Sequence, residues 1–167
     1  RGAACLHIAP MPFTRQQAMA ETFGEGSRFV ALDPHLPLRG DTLERWRPVL
    51  ARADALFASD DELHLDGAPR DVLRALAVGR MRYVVHKQGA RGGVLYDTRT
   101  DALLRWEPIT ARVVDVTGAG DAFAAGFLTA LRDGSDVTAA IARGAASSSV
   151  AIEGRGVEAL VATTRAE

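Results

Sequence analysis

Asp121 is the residue of this sequence whose position most favours chemistry. It follows directly on Gly118, Ala119 and Gly120, between a β-branched segment and a long apolar helical pattern, in the stretch VVDVTGAGDAFAAGFLTA. Glycines have no Cβ, so backbone N–H groups can approach an anion there, and a helix N-terminus adds unpaired donors and the positive end of the helix dipole. The pattern predicts a phosphate-binding anion hole with a carboxylate in it. The alternative is a purely structural role, because an aspartate also caps a helix well.

Two familiar phosphate-binding motifs do not fit this turn. The P-loop pattern G-x-x-x-x-G-K-[ST] does not occur in the sequence, and the dinucleotide pattern G-x-G-x-x-G fails because its third glycine position holds Phe123. Phosphoryl transfer needs positive charge around the moving group and a group that accepts the proton of the acceptor hydroxyl. Asp121 beside the turn amides supplies both, which favours a phosphotransferase.

Four short β-type segments end in polar residues, namely Asp33, Ser59, Lys87 and Asp115. In open α/β sheets, ligands bind in the crevice at the carboxyl ends of the strands. If these strands are parallel neighbours, all four ends face one crevice. Ser59 also begins the sequence Ser-Asp-Asp-Glu, which is a capping box that ends at Glu62.

Short β-type runs alternate with longer helical ones along the chain, which predicts an α/β fold with a mostly parallel sheet, helices on both faces, and one domain over residues 1–167. The expected strands are 3–9, 28–33, 55–58, 82–87, a hairpin pair over 93–96 and 103–107, and a strand that ends at 113–114. The expected helices are 14–23, 42–53, 59–65, 69–78, 119–132 and 136–152.

The last two helices are expected to pack closely. Gly134 suits the left-handed end of the first helix, and Ser135 suits the N-cap of the second. The first helix carries a bulky stripe, formed by Phe123, Phe127 and Leu131. The second carries a stripe of small residues, which allows close approach: Ala140, Gly144, Ala145 and Ser148.

The composition is that of an ordinary globular chain. Of the 167 residues, 47% are hydrophobic and 25% are charged, and the net charge of −1 gives no indication of nucleic-acid or membrane-surface partners. No run of about 18 apolar residues occurs, so no transmembrane span is predicted. The single cysteine, Cys5, cannot form a disulfide framework and favours a reducing compartment, so we expect a cytoplasmic location.

The stretch DVTGAGDAFAAGFL resembles the C-terminal signature of the ribokinase-like (PfkB) family of carbohydrate kinases. ALDPHLP is similar to the family's D-P-N stretch, FASDDEL to its N-x-x-E segment, and HKQGARGGVLYD to its nucleotide-side strand pair. GAASSSVAIEGRG is similar to the helix and loop that close over the adenine and the monovalent-cation site. The resemblance implies a three-layer α/β/α fold and ATP-dependent phosphorylation of a hydroxyl on a small sugar or sugar-like acceptor.

The resemblance also implies a role for each matching residue. Asp121 matches the catalytic base, and the anion hole is matched by Gly118, Ala119 and Gly120. The nucleotide-binding positions are matched by Lys87, Gly89, Gly92, Ala145 and Ser148. Glu62 matches a glutamate that organises Mg²⁺, usually through water, and a monovalent-cation loop is matched by Asp115 and Thr117. The expected cofactors are therefore ATP, Mg²⁺ and K⁺.

The sequence departs from the family pattern at two positions: Ser59 replaces the Asn of N-x-x-E, and His35 replaces the Asn of D-P-N. In the family, the sugar-holding residues and the β-sheet lid, through which homodimers form, precede the segment seen here. Because the chain opens at Arg1 on an expected core strand, we expect it to be the C-terminal, nucleotide-side portion of a kinase, with little acceptor turnover alone.

Three alternatives stay open: a nucleoside kinase of the same fold, a vitamin kinase, which the full D-x-x-G-A-G-D-x-F pattern disfavours, and a non-catalytic nucleotide-binding domain.

Overall fold

The computed structural model describes residues 4–23, 28–156 and 158–164. These residues divide into two compact units. The first runs to Gly89 and includes Gly93–Arg105, and the second consists of Ala90–Gly92 and the residues from Trp106 onward. The extent of the domain, 1–167, stays a prediction. None of the described helices is both long enough and apolar enough to span a bilayer.

The first unit is built on a sheet with three helices. Its strands are β1 (Leu6–Ile8), β2 (Val30–Leu32), β3 (Leu38–Arg39), β4 (Ala55–Ser59), β5 (Leu63–His64), β6 (Tyr83–Lys87), β7 (Gly93–Asp97) and β8 (Ala102–Trp106). The last residue of β8, Trp106, belongs to the second unit. Its helices are α1 (Phe13–Phe23), α2 (Leu43–Leu50) and α3 (Pro69–Leu76), and a 3₁₀ turn follows β6 at Gly89–Arg91. The main sheet has the order β1-β2-β4-β6-β7-β8, with the first four strands parallel and β7 antiparallel to β6.

The central strands of this sheet are buried on both faces. Leu56 and Val84 belong to one apolar cluster, to which each of the three helices contributes a large side chain: Phe13, Trp46 and Leu73. Phe57 and Val85 alternate with them along the strands and are also fully buried. Burial on both faces is typical of parallel sheets and explains why these strands read as continuous apolar runs. The predicted α/β fold with a mostly parallel sheet is confirmed, and so is the hairpin pair, as β7 and β8.

The short helix predicted over 59–65 is wrong. Ser59 ends β4, a turn follows, and β5 pairs in parallel with β3 as a separate two-stranded sheet. The N–H of Leu38 donates to the carbonyl of Glu62 at 2.6 Å, next to this pairing. The capping box depends on four consecutive residues and gives no information about pairing with β3. The tertiary pairing therefore overrides the local helix signal.

The strand predicted to end at 113–114 is also wrong. Val113 and Val114 lie exposed in a loop without regular structure. The N–H groups of Val114 and Asp115 both donate to the carbonyl of Ile152, at 2.7 and 3.3 Å. The β-branched composition indicated a strand, but the hydrogen bonds recorded for these amides go to one carbonyl rather than to a neighbouring strand.

The second unit contains three helices, α4 (Ala119–Arg132), α5 (Val137–Ala151) and α6 (Glu158–Thr164). As predicted, Gly134 ends α4 in the left-handed conformation, with φ of +87°. The Ser135 N–H bonds the Ala130 carbonyl, which completes a Schellman turn. The predicted N-cap, Ser135, is wrong by one residue: Asp136 caps α5 by accepting the N–H of Ala139 at 2.8 Å.

Helices α4 and α5 approach closely because each presents a glycine to the other. A Cβ on Gly126 would lie 2.7 Å from the carbonyl oxygen of Arg143 and 2.5 Å from Ser147 Oγ. A Cβ on Gly144 would lie 3.0 Å from the carbonyl oxygen of Phe123. Of the predicted stripe of small residues, Gly144 makes a close contact, while Gly126 of α4 approaches Arg143 and Ser147, which lie outside the predicted stripe.

We expect Gly126→Ala to destabilise the protein. Helix propensity alone would stabilise it by about 1 kcal/mol. The added methyl group, however, must push α4 away from α5, an overpacking that typically costs about 1–3 kcal/mol. Chemical denaturation measures the sign of the change. Ala125→Val, on the exposed face of the same helix, is the control for added bulk and should stay within about 0.5 kcal/mol of wild type; a stabilised Gly126→Ala variant would contradict the packing argument.

Candidate functional site

The carboxyl edge of the main sheet brings together three of the four predicted strand-end residues. Strands β2, β4 and β6 are parallel neighbours, so Asp33, Ser59 and Lys87 follow or end them at the same edge. Ser59 lies directly beside Lys87 in the register of β4 and β6. Asp115 belongs to the second unit and does not end a strand.

Asp33 and Lys87 form a buried ion pair across β4. Lys87 Nζ lies 2.8 Å from Asp33 Oδ2, and the two side chains are 14% and 3% exposed. Gln16, a fully buried residue of α1, donates from Nε2 to the carbonyls of Asp33 at 2.6 Å and Ala9 at 3.0 Å. Gln16 thereby links the carboxyl ends of β1 and β2, next to the ion pair.

The Glu62 carboxylate is held by Ser59. Its Oε2 accepts both the backbone N–H and the hydroxyl of Ser59, each at 2.7 Å. One contact of a capping box, from the Ser59 N–H to the Glu62 carboxylate, is thus present without a helix, whereas the Glu62 N–H donates to the carbonyl of Ser59 at 3.1 Å. Oε1 accepts no hydrogen bond recorded for the described residues, and one carboxylate oxygen with water is a typical way for a protein to bind Mg²⁺. Nearby on the same edge, His86 Nε2 lies 2.9 Å from Asp60 Oδ1.

Beyond β6, the two glycines predicted to lie near a nucleotide occupy different environments. Gly89, in the first unit, has a φ of +55° and open space where a Cβ would project. Gly92, in the second unit, has a φ of +76°, and a Cβ there would collide with the backbone of Trp106. Close packing by itself therefore requires a glycine at position 92. The nucleotide roles of both residues stay predictions.

In the second unit, the N-terminus of α4 has the geometry of an anion site. Gly118 is the N-cap, in the left-handed conformation with φ of +81°, and open space lies where its Cβ would be. The Ala119 N–H already donates to the Val116 carbonyl at 3.2 Å. The N–H groups of Gly118 and Gly120 have no acceptor recorded among the described residues, so two of the three predicted anion-hole amides remain for a ligand.

Asp121 is the third residue of α4, and its side chain is exposed. The capping alternative is therefore wrong in its simple form, because Gly118 occupies the N-cap and no side chain caps this helix end. An acidic residue in the first turn still favours the helix through the dipole. The carboxylate itself remains available for chemistry.

The loop that contains Asp115 and Thr117 lies against the end of α5. Asp115 Oδ1 accepts the Thr117 N–H at 2.9 Å. Hydrogen bonds from the Thr117 backbone and hydroxyl, and then from the Gly156 N–H, hold the pKa of Asp115 below its usual range. The carbonyl of Ile152 joins the same region through its bonds to Val114 and Asp115. Carboxylate and carbonyl oxygens suit hard cations, so these residues fit the predicted cation loop.

The remaining predicted nucleotide positions, Ala145 and Ser148, lie half-buried on α5. Gln16 also belongs to the strand-end region, although it is not among the residues predicted for it. A signal for it exists, because Gln16 is the polar member of a buried helical stripe with Phe13 and Ala20. The ion pair between Asp33 and Lys87 has no such signal, since it joins residues from separate strands.

Comparison with known proteins agrees with this fold. A cytidine kinase of Thermococcus kodakarensis is 31% identical over 134 residues, which cover 75% of this chain and 47% of that protein. The structure of a Methanocaldococcus jannaschii nucleoside kinase of the ribokinase family superposes with a TM-score of 0.71 at 27% identity, covering 92% of this chain and 50% of that one. An E. coli protein described as a ribokinase II, solved with ATP and Mg²⁺, has a TM-score of 0.72 at 21% identity, covering 97% and 59%, a likeness of fold.

The chain thus spans about half the length of the relatives it matches. The sequence profile described as pfkB family carbohydrate kinase matches residues 12–164, which include every strand of the main sheet except β1, the Glu62 turn and the Asp121 helix. With the ribokinase-like fold and this match over nearly its whole length, the chain belongs to the pfkB family of carbohydrate kinases.

Proposed function

We propose that the protein is an ATP-dependent phosphotransferase that phosphorylates a hydroxyl of a small acceptor containing a sugar ring. One observation supports this most directly: the N-terminus of α4 combines a left-handed Gly118 N-cap, unoccupied amides and an exposed Asp121 within one turn. Phosphoryl transfer needs both of these groups, donors for the developing charge and an acceptor for the hydroxyl proton.

In the proposed mechanism, the Asp121 carboxylate orients the acceptor hydroxyl and takes its proton as the hydroxyl oxygen attacks the γ-phosphoryl group of ATP. The N–H groups of Gly118 and Gly120 donate to the phosphoryl oxygens, where the helix dipole also favours negative charge. Donors that are already fixed by a helix do not need to reorganise during the reaction.

Mg²⁺, when bound with ATP, would neutralise charge on the phosphates. Glu62 is the residue of this chain that fits it, because Oε2 is fixed by Ser59 while Oε1 remains for a metal-bound water. Replacement of the family's Asn by Ser59 therefore preserves a means of orienting the glutamate, which argues against a non-catalytic domain. Asp115 and Thr117 are the residues proposed for K⁺, which would bind beside the end of α5.

The acceptor is a free sugar or a nucleoside, and the nucleoside is favoured by one specific finding. The T. kodakarensis relative is a cytidine kinase, and the ribose of a nucleoside presents the same hydroxyl chemistry as a free sugar. ATP consumption by the full-length gene product, measured with a panel of sugars and nucleosides, tests the proposal. Turnover with one class identifies the acceptor, whereas a protein that binds ATP and phosphorylates neither class would contradict it.

Asp121→Asn separates the catalytic role from a structural one. Asparagine keeps the shape of aspartate but cannot accept the proton, so we expect the kcat of the full-length gene product to fall about 10²–10⁴-fold. The thermal midpoint should change little, because Gly118 and not Asp121 is the N-cap. Asp136→Asn, the same substitution at the N-cap of α5, is the control and should leave kcat unchanged. A kcat above about a tenth of wild type in Asp121→Asn would exclude general-base catalysis by this residue.

Gly118→Val tests the anion hole against a matched glycine. Gly118 and Gly134 flank α4 at its two ends, and both have positive φ and open space beyond the Cα. Valine at either position should cost about 1–3 kcal/mol of backbone strain. The substitution at position 118 should in addition weaken ATP binding at least about tenfold, the loss expected for one charge-assisted hydrogen bond. Calorimetric titration of both variants measures this, and equal ATP affinities would overturn the anion hole.

A further inference from the structure

We propose that Asp33 is a positioning residue that holds the Lys87 ammonium as a phosphate-binding cation, an inference that rests on the proposed function. Lys87 is expected to lie near the nucleotide, but the family resemblance does not say which part of the nucleotide it would contact. The structure supplies two further observations, namely the burial of its partner and the number of donors that remain on its ammonium.

The burial of the pair is not explained by stability. Removing two charges from water is unfavourable, and apolar residues of similar size often stabilise a protein more than a buried ion pair does. Asp33 is 3% exposed, whereas Lys87, at the same edge of the sheet, is 14% exposed and is the more accessible of the two. The carboxylate is thus the buried support, and the ammonium is the group that a ligand can reach.

The position of Asp33 is fixed from behind. Gln16 donates to the Asp33 carbonyl at 2.6 Å and to the Ala9 carbonyl at 3.0 Å, so the end of β2 is tied to the end of β1. Lys87 is fixed by the pairing of β6 with β4, where it lies beside Ser59. Both ends of the ion pair are therefore positioned by the sheet, at the edge where open α/β sheets bind ligands.

The ammonium of Lys87 keeps donors for an anion. It carries three N–H groups, and the described residues account for one of them, the bond to Asp33. Arg80 provides a contrast at the opposite edge of the sheet. Its guanidinium bonds both oxygens of Asp54 and the carbonyl of Arg28, while Asp54 also accepts the N–H of Val30. The pair of Arg80 and Asp54 directs its hydrogen bonds to groups of the protein itself, whereas Lys87 at the carboxyl edge keeps N–H groups that can donate to a phosphate.

The test compares ATP with adenosine as calorimetric ligands. In Asp33→Asn the dissociation constant of ATP should rise about tenfold or more, the effect of losing one charge-assisted hydrogen bond, while that of adenosine changes less than about twofold. Asp54→Asn removes a similar ion pair at the amino edge, and we expect it to lower the thermal midpoint without changing either affinity. If the unpaired lysine prevents Asp33→Asn from folding, the double variant Asp33→Asn/Lys87→Met leaves no buried charge and should show the same selective loss for ATP.

The outcomes separate this inference from the proposed function. Equal losses for ATP and adenosine, or ATP affinities alike in Asp33→Asn and Asp54→Asn, would overturn the positioning role even if the wild-type protein phosphorylates an acceptor. A selective loss of ATP affinity would support the role even if no acceptor is phosphorylated. A wild-type protein that does not bind ATP at all would overturn both.

Discussion

Parallel pairing of β2, β4 and β6 is the constraint on which the first unit depends. Parallel strands cannot be joined by tight turns, so the chain must return to the amino edge after each strand, and successive carboxyl ends emerge together. Because successive side chains of a strand point to opposite faces, a shift of register by one residue would move every side chain to the other face and disrupt the packing on both. The register that satisfies the core is therefore the same one that places Ser59 beside Lys87 and both near the end of β2.

Several candidate site residues combine a fixed backbone with polar groups that are only partly used. Glu62 presents one oxygen to Ser59, and Lys87 gives one N–H to Asp33. At the start of α4, Ala119 donates its N–H to the Val116 carbonyl, while the N–H groups of Gly118 and Gly120 have no acceptor among the residues that the structure describes. This division is what a binding site for a charged ligand requires, because groups that are held in place by some of their bonds lose little freedom when the others are made.

The fold class, most of the elements and the Asp121 turn could be predicted from the sequence, because local periodicity and short-range glycine spacing indicate them. The errors arise where distant parts of the chain decide. The helix expected over 59–65 gives way to pairing with β3, and the β-branched residues near Val114 bond to Ile152 instead of a strand. The N-cap of α5 shifts from Ser135 to Asp136 because the Schellman turn at Gly134 occupies one more residue. The ion pair of Asp33 with Lys87 could not be predicted, since no pattern within either strand specifies its partner.

The interlocked glycines of α4 and α5 also restrict how the protein can respond to a ligand. Rotation of α4 about its own axis by one residue would turn Gly126 away from Arg143 and bring a side chain against that backbone. Translation of α4 along its axis is opposed in the same way by the close contact of Gly144 with the Phe123 carbonyl. The first turn of α4 is therefore a fixed point within its unit. A ligand or partner that reoriented this helix would first have to separate two backbones in close contact.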